Sequence, residues 1–384
     1  MEEIKIIDFV TTGQGAERLL LSRVKKINND KRFKNGIICP EGEEARRITE
    51  NNIKVFPMKI NRGLGVINII CELFALYKII KQNPPHIIHT HNSKAGALGR
   101  IICWYINLFK KKKIYIIHQV HGYYFTKLKG FKRKIFYWIE KVLALITDAL
   151  LFQNKYEYEL SQKFKSPKTK LCLIKNGINF DNFNVSNRDH ETGNRNSEIK
   201  NIVCIARIEP VKNHKMVIDA ANILKSGFQY KDFIVYIIGE GEYQNLERAT
   251  MQYNLSGNIV FTGKLTQKQV AEYLEIADIS ILTSVKEGMP RGLMESMYYS
   301  VPCIGTNVVG TNEIIFDSYN GYLVDLDDHE KFAERMYYLL KNDDIRKELG
   351  INAKKHCLEN FNEDNVIEKI KDIYINGITA GAGK

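Results

Sequence analysis

Ile4-Lys5-Ile6-Ile7-Asp8-Phe9-Val10, then Thr11-Thr12-Gly13-Gln14-Gly15, then Ala16–Ile27 open the chain. The first run is apolar and of strand length. The last spaces its apolar residues for one face of a helix, and a glycine-bearing turn joins the two. The same unit recurs. Strands are expected at Gly36–Cys39, Val55–Met58, His86–His89, Ile114–Gln119, Ala149–Gln153 and Leu171–Ile174. Helices are expected at Gly65–Gln82, Lys94–Leu108 and Lys132–Ile146. Strands alternating with helices at this spacing predict βαβ units and a parallel sheet.

The texture changes at Asp181–Lys200, which is poor in apolar residues and rich in Asn, Asp and Arg. A second alternating series follows, with strands expected at Asn201–Ala206, Phe233–Gly239, Ile259–Thr262, Ile279–Thr283, Cys303–Gly305 and Gly321–Val324. The 384 residues therefore read as two doubly wound α/β domains, at 1–185 and 201–360, with a linker at 186–200 and a final helix and tail at 361–384. Two such domains are expected to face across a cleft, with ligands at the carboxyl ends of the strands.

Hydrophobic content of 44% and charged content of 26% exclude disordered and collagen-like chains. No apolar stretch is long enough for a transmembrane helix, and Met1-Glu2-Glu3 is unlike a signal peptide. The seven cysteines are scattered without a CxxC pair, so reduced thiols in a cytoplasmic protein are expected.

The charge is lopsided. Residues 1–197 carry 35 Lys/Arg against 17 Asp/Glu, and residues 198–384 carry 21 against 27. No acid lies between Glu72 and Glu140, a window holding Lys110–Lys113, Lys127, Lys129, Lys132, Arg133 and Lys134. The apolar run Ile101–Phe109 adjoins the four lysines. An anionic membrane surface ranks first as partner, since each basic residue near it contributes about 1 kcal/mol. A solvated basic surface over an ordinary buried helix ranks second. Nucleic acid ranks third, because neither a binding module nor a stacking platform is present.

Four constellations sit at expected strand ends. Gly13–Arg18 leads a strand into a helix start, whose backbone amides suit a phosphate. Many such turns carry glycine for geometry alone, and the pattern is not a dinucleotide fingerprint. Arg207 and Lys212 follow the next domain's first strand, where two cations can converge on a diphosphate. A solvated turn explains them equally simply. Glu287–Glu295 runs from a loop into a helix, offering amides near Gly292 and Leu293 and two carboxylates able to accept from sugar hydroxyls. The bland alternative is a dipole-complementing surface pair. His89, His91, His118 and His121 close two adjacent strands. Metal binding ranks last for them, since no acid lies nearby in sequence; substrate contact ranks higher, and core packing higher still.

In order and spacing, Gly13–Arg18, His89–Arg100, His121-Gly122, Asn176-Gly177-Ile178, Arg207 with Lys212, Gly239-Glu240-Gly241, Phe261-Thr262-Gly263 and the E-x7-E pair Glu287/Glu295 resemble the retaining nucleotide-sugar glycosyltransferases of family 4, with the GT-B fold. The stretch from His89 to Arg100 with His121–Phe125 is similar to bacterial enzymes that extend polyprenyl-diphosphate-linked sugars for capsule, O-antigen or protein glycans. The resemblance implies transfer from a UDP-sugar, with an N-acetylhexosamine favoured, to a polyprenyl-diphosphate-linked glycan. It implies no cofactor and no metal, and a peripheral place on the inner face of the plasma membrane.

As catalytic residues the resemblance implies His121, Arg207, Lys212 and Glu287. For the donor it implies Gly15, Gly239, Lys264, Leu265, Met289, Arg291, Gly292, Leu293 and Glu295, and for the acceptor His91, Ser93, Lys94 and Tyr123. One departure is Pro290, which stands where many relatives carry glycine and has no N–H to offer. The contact must move to Met289, Arg291 or Gly292. A UDP-sugar 2-epimerase of the same architecture, and a non-catalytic sugar-nucleotide or lipid-glycan binder, are the alternatives.

Overall fold

A computed structural model describes residues 3–61, 63, 65–163, 166–183 and 198–382. The linker expected at 186–200 lies outside these apart from its last three residues. The chain forms two compact units, Met1–Lys175 with Asp364–Lys384, and Asn176–Glu363.

The first unit is a parallel sheet of β1 (Ile4–Phe9), β2 (Phe33–Pro40), β3 (Lys54–Met58), β4 (Ile87–His91), β5 (Tyr115–Val120), β6 (Ala149–Phe152) and β7 (Lys170–Leu173) in the order β3-β2-β1-β4-β5-β6-β7. Its helices are α1 (Gly13–Gly15), which runs through a π-helical stretch at Ala16–Leu20 into α2 (Leu21–Asn28), then α3 (Glu43–Glu50), α4 (Val66–Gln82), α5 (Ser93–Asn107), α6 (Gly130–Leu145) and α7 (Lys155–Gln162). Strand alternation sorts the core into two layers. Ile7 and Phe9 of β1 and Ile88 of β4 pack with α4 and α5. Ile4, Ile6, Ile87 and Ile117 face the other way, toward Ile27 of α2 and toward α14 (Glu363–Ala382). Asp8, His89, His91 and Gln119 share that second parity, so three strands aim polar side chains into one layer.

Helices α3 and α7 were not expected. Only Ala45 and Ile48 of α3 are buried, one i,i+3 pair in an otherwise polar stretch, and α7 buries Glu157 and Ser161 rather than an apolar stripe.

The second unit is a parallel sheet of β8 (Lys200–Ile205), β9 (Phe233–Ile238), β10 (Ile259–Gly263), β11 (Ile279–Leu282), β12 (Cys303–Thr306) and β13 (Gly321–Val324) in the order β10-β9-β8-β11-β12-β13. Helices α8 (His214–Asn222), α9 (Gln244–Gln252), α10 (Gln267–Ile276), α11 (Arg291–Tyr298), α12 (His329–Lys341) and α13 (Asp343–Asn360) cover its faces. Residues 176–183 belong here rather than with the first unit. Ile178 bridges Asn362, and the Tyr299 hydroxyl donates to the Phe183 carbonyl at 3.1 Å. Among the described residues no helix is long and apolar enough to cross a membrane.

Both strand orders reverse direction once, between β1 and β4 in the first unit and between β8 and β11 in the second. A doubly wound sheet opens a crevice for ligands at that reversal, outside the carboxyl ends of the strands.

Candidate active site

The motifs flank both reversals. In the second unit, Arg207 and Lys212 follow β8, while Glu287 and α11 follow β11. The Lys212 loop is tied down by Thr283 at the end of β11, whose hydroxyl donates to the carbonyls of Lys212 at 3.1 Å and Asn213 at 3.0 Å. The Val285 amide donates to the Val211 carbonyl at 2.8 Å. Held this way, Lys212 Nζ reaches Glu287 Oε1 at 2.5 Å, and the Ser284 hydroxyl donates to the same oxygen at 2.5 Å. The pair is largely buried. Arg207 is half-exposed and bound to Glu209 at 2.7 Å. The two cations grouped by spacing are thus held by different carboxylates.

Pro290 is the N-cap of α11, so Arg291, Gly292 and Leu293 form its first turn. Their amides have no acceptor within the helix. Gly292 passes so close to β8 that a Cβ there would lie 2.6 Å from the Ile205 carbonyl oxygen. Gly239, after β9, is tighter still: a Cβ added there would lie 2.1 Å from the Ala206 carbonyl oxygen. These glycines let backbones meet at the site's floor. The side chains of Met289 and Leu293 are buried in the core with Met294, which leaves only backbone for a ligand. Leu265 is also partly buried in that core, and Lys264 is exposed, 3.9 Å from Glu240. Glu295 stands one turn into α11 with Arg291 at 4.0 Å, and burial raises its carboxyl above the ordinary range.

In the first unit, Thr11 and Asn92 meet across the reversal, the Thr11 hydroxyl donating to Asn92 Oδ1 at 3.0 Å. Asn92 also caps α5 by accepting from the Ala95 amide, which places Ser93 first in the helix, half-buried. The Gly15 amide, expected to face an anion, is instead taken by the Thr12 hydroxyl at 3.2 Å, because Thr12 is the N-cap of α1.

His91 and His121 lie together, Nδ1 to Nε2, at 3.2 Å. Burial first, and then the Arg23 guanidinium, push His91 well below the usual histidine range and His121 to about 4, so both rings are neutral at pH 7. His91 Nε2 lies 2.6 Å from Asp8 Oδ1. A neutral ring donating there presents Nδ1 as acceptor to His121. Arg23 Nη2 donates to Asp8 at 2.7 Å, Asn35 donates to the other carboxylate oxygen at 2.7 Å, and Arg23 Nη1 donates to Gln119 at 2.8 Å.

Asp8, Arg23 and Tyr374 were missed by sequence reading. Tyr374 of α14 meets His89 Nδ1 at 2.7 Å. A signal existed: Asp8 is the lone acid in an apolar strand. Among the described residues Asp8, His89 and His91 are a trio able to hold a metal ion: no acid lies near the histidines in sequence, but the pairing of β1 with β4 brings Asp8 beside them. Their carboxylate already carries Arg23, which supplies the compensating positive charge.

Two acceptor assignments meet a different environment. Tyr123 is 1% exposed, its hydroxyl on Ser161 at 2.7 Å and its ring stacked on Phe125, so its side chain is core. Lys94 Nζ is held by Glu72 at 2.8 Å and the Asn61 carbonyl at 2.6 Å. Both residues precede or open helices whose neighbours are brought in by the fold.

Two family models match consecutive parts of the chain: Glycosyltransferase Family 4 over residues 14–182 and Glycosyl transferases group 1 over 185–356. The UDP-Gal:alpha-D-GlcNAc-diphosphoundecaprenol alpha-1,3-galactosyltransferase of Escherichia coli is 26% identical over 94% of both chains. The N,N'-diacetylbacillosaminyl-diphospho-undecaprenol alpha-1,3-N-acetylgalactosaminyltransferase of Campylobacter jejuni is 21% identical over 93% of this chain and 94% of its own. Among solved structures, Anabaena HepE in complex with UDP and glucose has a TM-score of 0.80 at 15% identity, over 97% of this chain and all of its own. With two Rossmann-like units and site motifs at both strand reversals, this chain belongs to glycosyltransferase family 4 and has the GT-B fold.

Proposed function

We propose that this protein transfers a hexose or N-acetylhexosamine from a UDP-sugar to a hydroxyl of a polyprenyl-diphosphate-linked saccharide, with retention at the anomeric carbon, in the synthesis of a bacterial surface glycan. The observation that carries the reading is the Lys212–Glu287–Ser284 cluster at the strand reversal of the second unit. The E. coli relative's name specifies a UDP-sugar donor and a diphosphoundecaprenol acceptor, and the Anabaena neighbour binds UDP.

In this reading Lys212 and Arg207 take up the negative charge that develops on the departing diphosphate. The amides of Arg291, Gly292 and Leu293 add backbone dipoles, doing what the Pro290 position cannot. Glu295 accepts from the ribose hydroxyls, and Glu287 from the sugar. Gly239 keeps the floor open, and backbone at Lys264 and Leu265 faces the base. The bond from anomeric carbon to diphosphate oxygen breaks and the bond to the acceptor oxygen forms on the same face. The acceptor's proton passes to the leaving diphosphate. The chain's own work is positioning and charge stabilisation, without a metal. Ser93 and His121 keep the substrate-side roles that the resemblance gives them, whereas the Gly15 amide is held by Thr12, and His91, buried between Asp8 and His121, is left to position His121. For Lys94 and Tyr123 the role narrows to holding the backbone beside those residues.

Incubation with UDP-sugars and undecaprenyl-diphosphate-linked GlcNAc, followed by proton NMR, tests the reading. The expected result is a lipid-linked disaccharide with an α-anomeric signal and released UDP. Conversion of the donor alone would make the protein an epimerase, and UDP binding without product under any acceptor would make it a binding protein.

A further inference from the structure

We propose that α4, α5 and α6 form one docking face that lies in the surface of an anionic lipid bilayer. Each helix buries one side against the same layer of the first sheet and leaves an apolar stripe outside. On α6 the exposed apolar residues Phe131, Ile135, Trp138, Val142 and Leu145 follow a 4-3-4-3 spacing that stays on one side of a helix, with Ile139 exposed beside them. On α5 Ile101, Trp104 and Tyr105 are exposed, with Leu108 just past its end, and on α4 Val66, Ile67, Ile70 and Phe74.

The stripes are neighbours. Tyr77 of α4 meets Tyr105 of α5 edge to face at 6.3 Å, and Arg100 of α5 pairs with Glu140 of α6 at 2.9 Å. An unpartnered apolar area this extensive is unusual on a lone protein surface.

Charge selects the occupant. The three helices contain two carboxylates, Glu72 and Glu140, and both are buried, 2% and 7% exposed, against Lys94 and Arg100. The exposed side therefore carries no negative charge. It carries Lys78, Lys132, Arg133 and Lys134, with Lys111–Lys113 just past α5. A second copy of this face would bring like charge against like, whereas anionic headgroups complement it. Both tryptophans of the chain lie here, Trp104 at 44% and Trp138 at 58% exposure. Their amphipathic rings suit the headgroup level. Part of the basic window in the sequence thus becomes the polar rim of a three-helix apolar face.

The inference deepens the proposed function by naming where a lipid-borne acceptor is met, and its test uses no substrate, so the two fail separately. Because the tryptophans are confined to this face, fluorescence excited selectively at tryptophan, beyond the absorption of the 20 tyrosines, reports it alone. The full chain is mixed with vesicles of phosphatidylglycerol in phosphatidylcholine, or of phosphatidylcholine alone. The expected result is a blue shift and co-sedimentation with the anionic vesicles, at least about tenfold weaker on the neutral ones. Replacing Phe131→Asp and Ile135→Asp together should cut vesicle binding about tenfold or more while UDP affinity and far-UV circular dichroism hold. No spectral shift with anionic vesicles, or unchanged binding by the double variant, overturns the proposal. A concentration-dependent dimer that the double variant dissolves also overturns it, and assigns the face to a second copy.

Discussion

Lys212 Nζ and Glu287 Oε1 are 2.5 Å apart, although 75 residues separate them in the chain. Each is the other's principal charge partner, and the Ser284 hydroxyl shares the carboxylate. On the proposed function, a diphosphate entering here would compete with Glu287 for the ammonium. Lys212→Ala removes that cation. We expect kcat at saturating donor to fall about a hundredfold or more, as when a charge-stabilising donor is deleted. Near-normal turnover in steady-state assays would remove Lys212 from the mechanism.

Glu295 tests the donor side through pH. Burial raises its carboxyl above the ordinary 4.5, so the folded chain keeps a proton that the unfolded chain has released. Stability therefore declines as pH climbs from 4.5 through the raised value, and stays lower above it. Glu295→Gln removes this cost. It should raise the melting temperature of the ligand-free protein at pH 7 and weaken UDP binding about tenfold to a hundredfold, by loss of a charged acceptor. Calorimetric titration with UDP checks the second half; unchanged affinity would mean that Glu295 does not touch the ribose.

His214 opens α8 two residues after Lys212, and burial, then the Lys212 charge, hold it down to about 4. Here the sign is the reverse of an acid with a raised value. The folded state binds fewer protons than the unfolded state between pH 6.5 and about 4, so stability is complete above 6.5 and is lost as pH falls through that window. The loss is about 1.4 kcal/mol per pH unit for one such group. His214→Phe should flatten this part of the stability profile. Bound UDP should shift the His214 titration upward by neutralising Lys212, which imidazole NMR signals would report.

Tyr123→Phe separates a core role from an acceptor role. The hydroxyl is spent on Ser161, so its loss should cost about 1 kcal/mol in urea denaturation. Acceptor KM should not move. A change in KM of tenfold or more with stability intact would return Tyr123 to the acceptor.

Asp8→Asn strips the carboxylate from Arg23 and leaves a buried guanidinium without its counter-charge. A cost of about 3–5 kcal/mol is expected, read by thermal or urea unfolding. Equal stability of variant and parent would show that the Asp8 charge is not needed to bury Arg23.

Much of the fold was legible because strand and helix periods are local. The strand Ile4–Phe9 reads directly from its apolar run, and the two sheets follow from alternation. Helix α7 escaped because its buried face is polar: Glu157 accepts from the Tyr123 amide, and Ser161 meets the Tyr123 hydroxyl. The Thr12 cap on Gly15 escaped as well, since whether a turn threonine caps a helix depends on its backbone angles. At the candidate site, spacing placed Lys212 and Glu287 at strand ends, but it paired Lys212 with Arg207. The partner turned out to be the carboxylate that the neighbouring strand delivers.

The sequence by itself determined the alternation of elements, the glycine turns and the strand-end position of the charged residues, because each depends on neighbours a few positions away. Only the tertiary structure decided that Asp8 meets Arg23 and His91, that Tyr374 reaches back across 285 residues to His89, and that three helix faces stay open to solvent. Strand order and register set those meetings. They arise when distant segments pair, and no local period encodes which segments will do so.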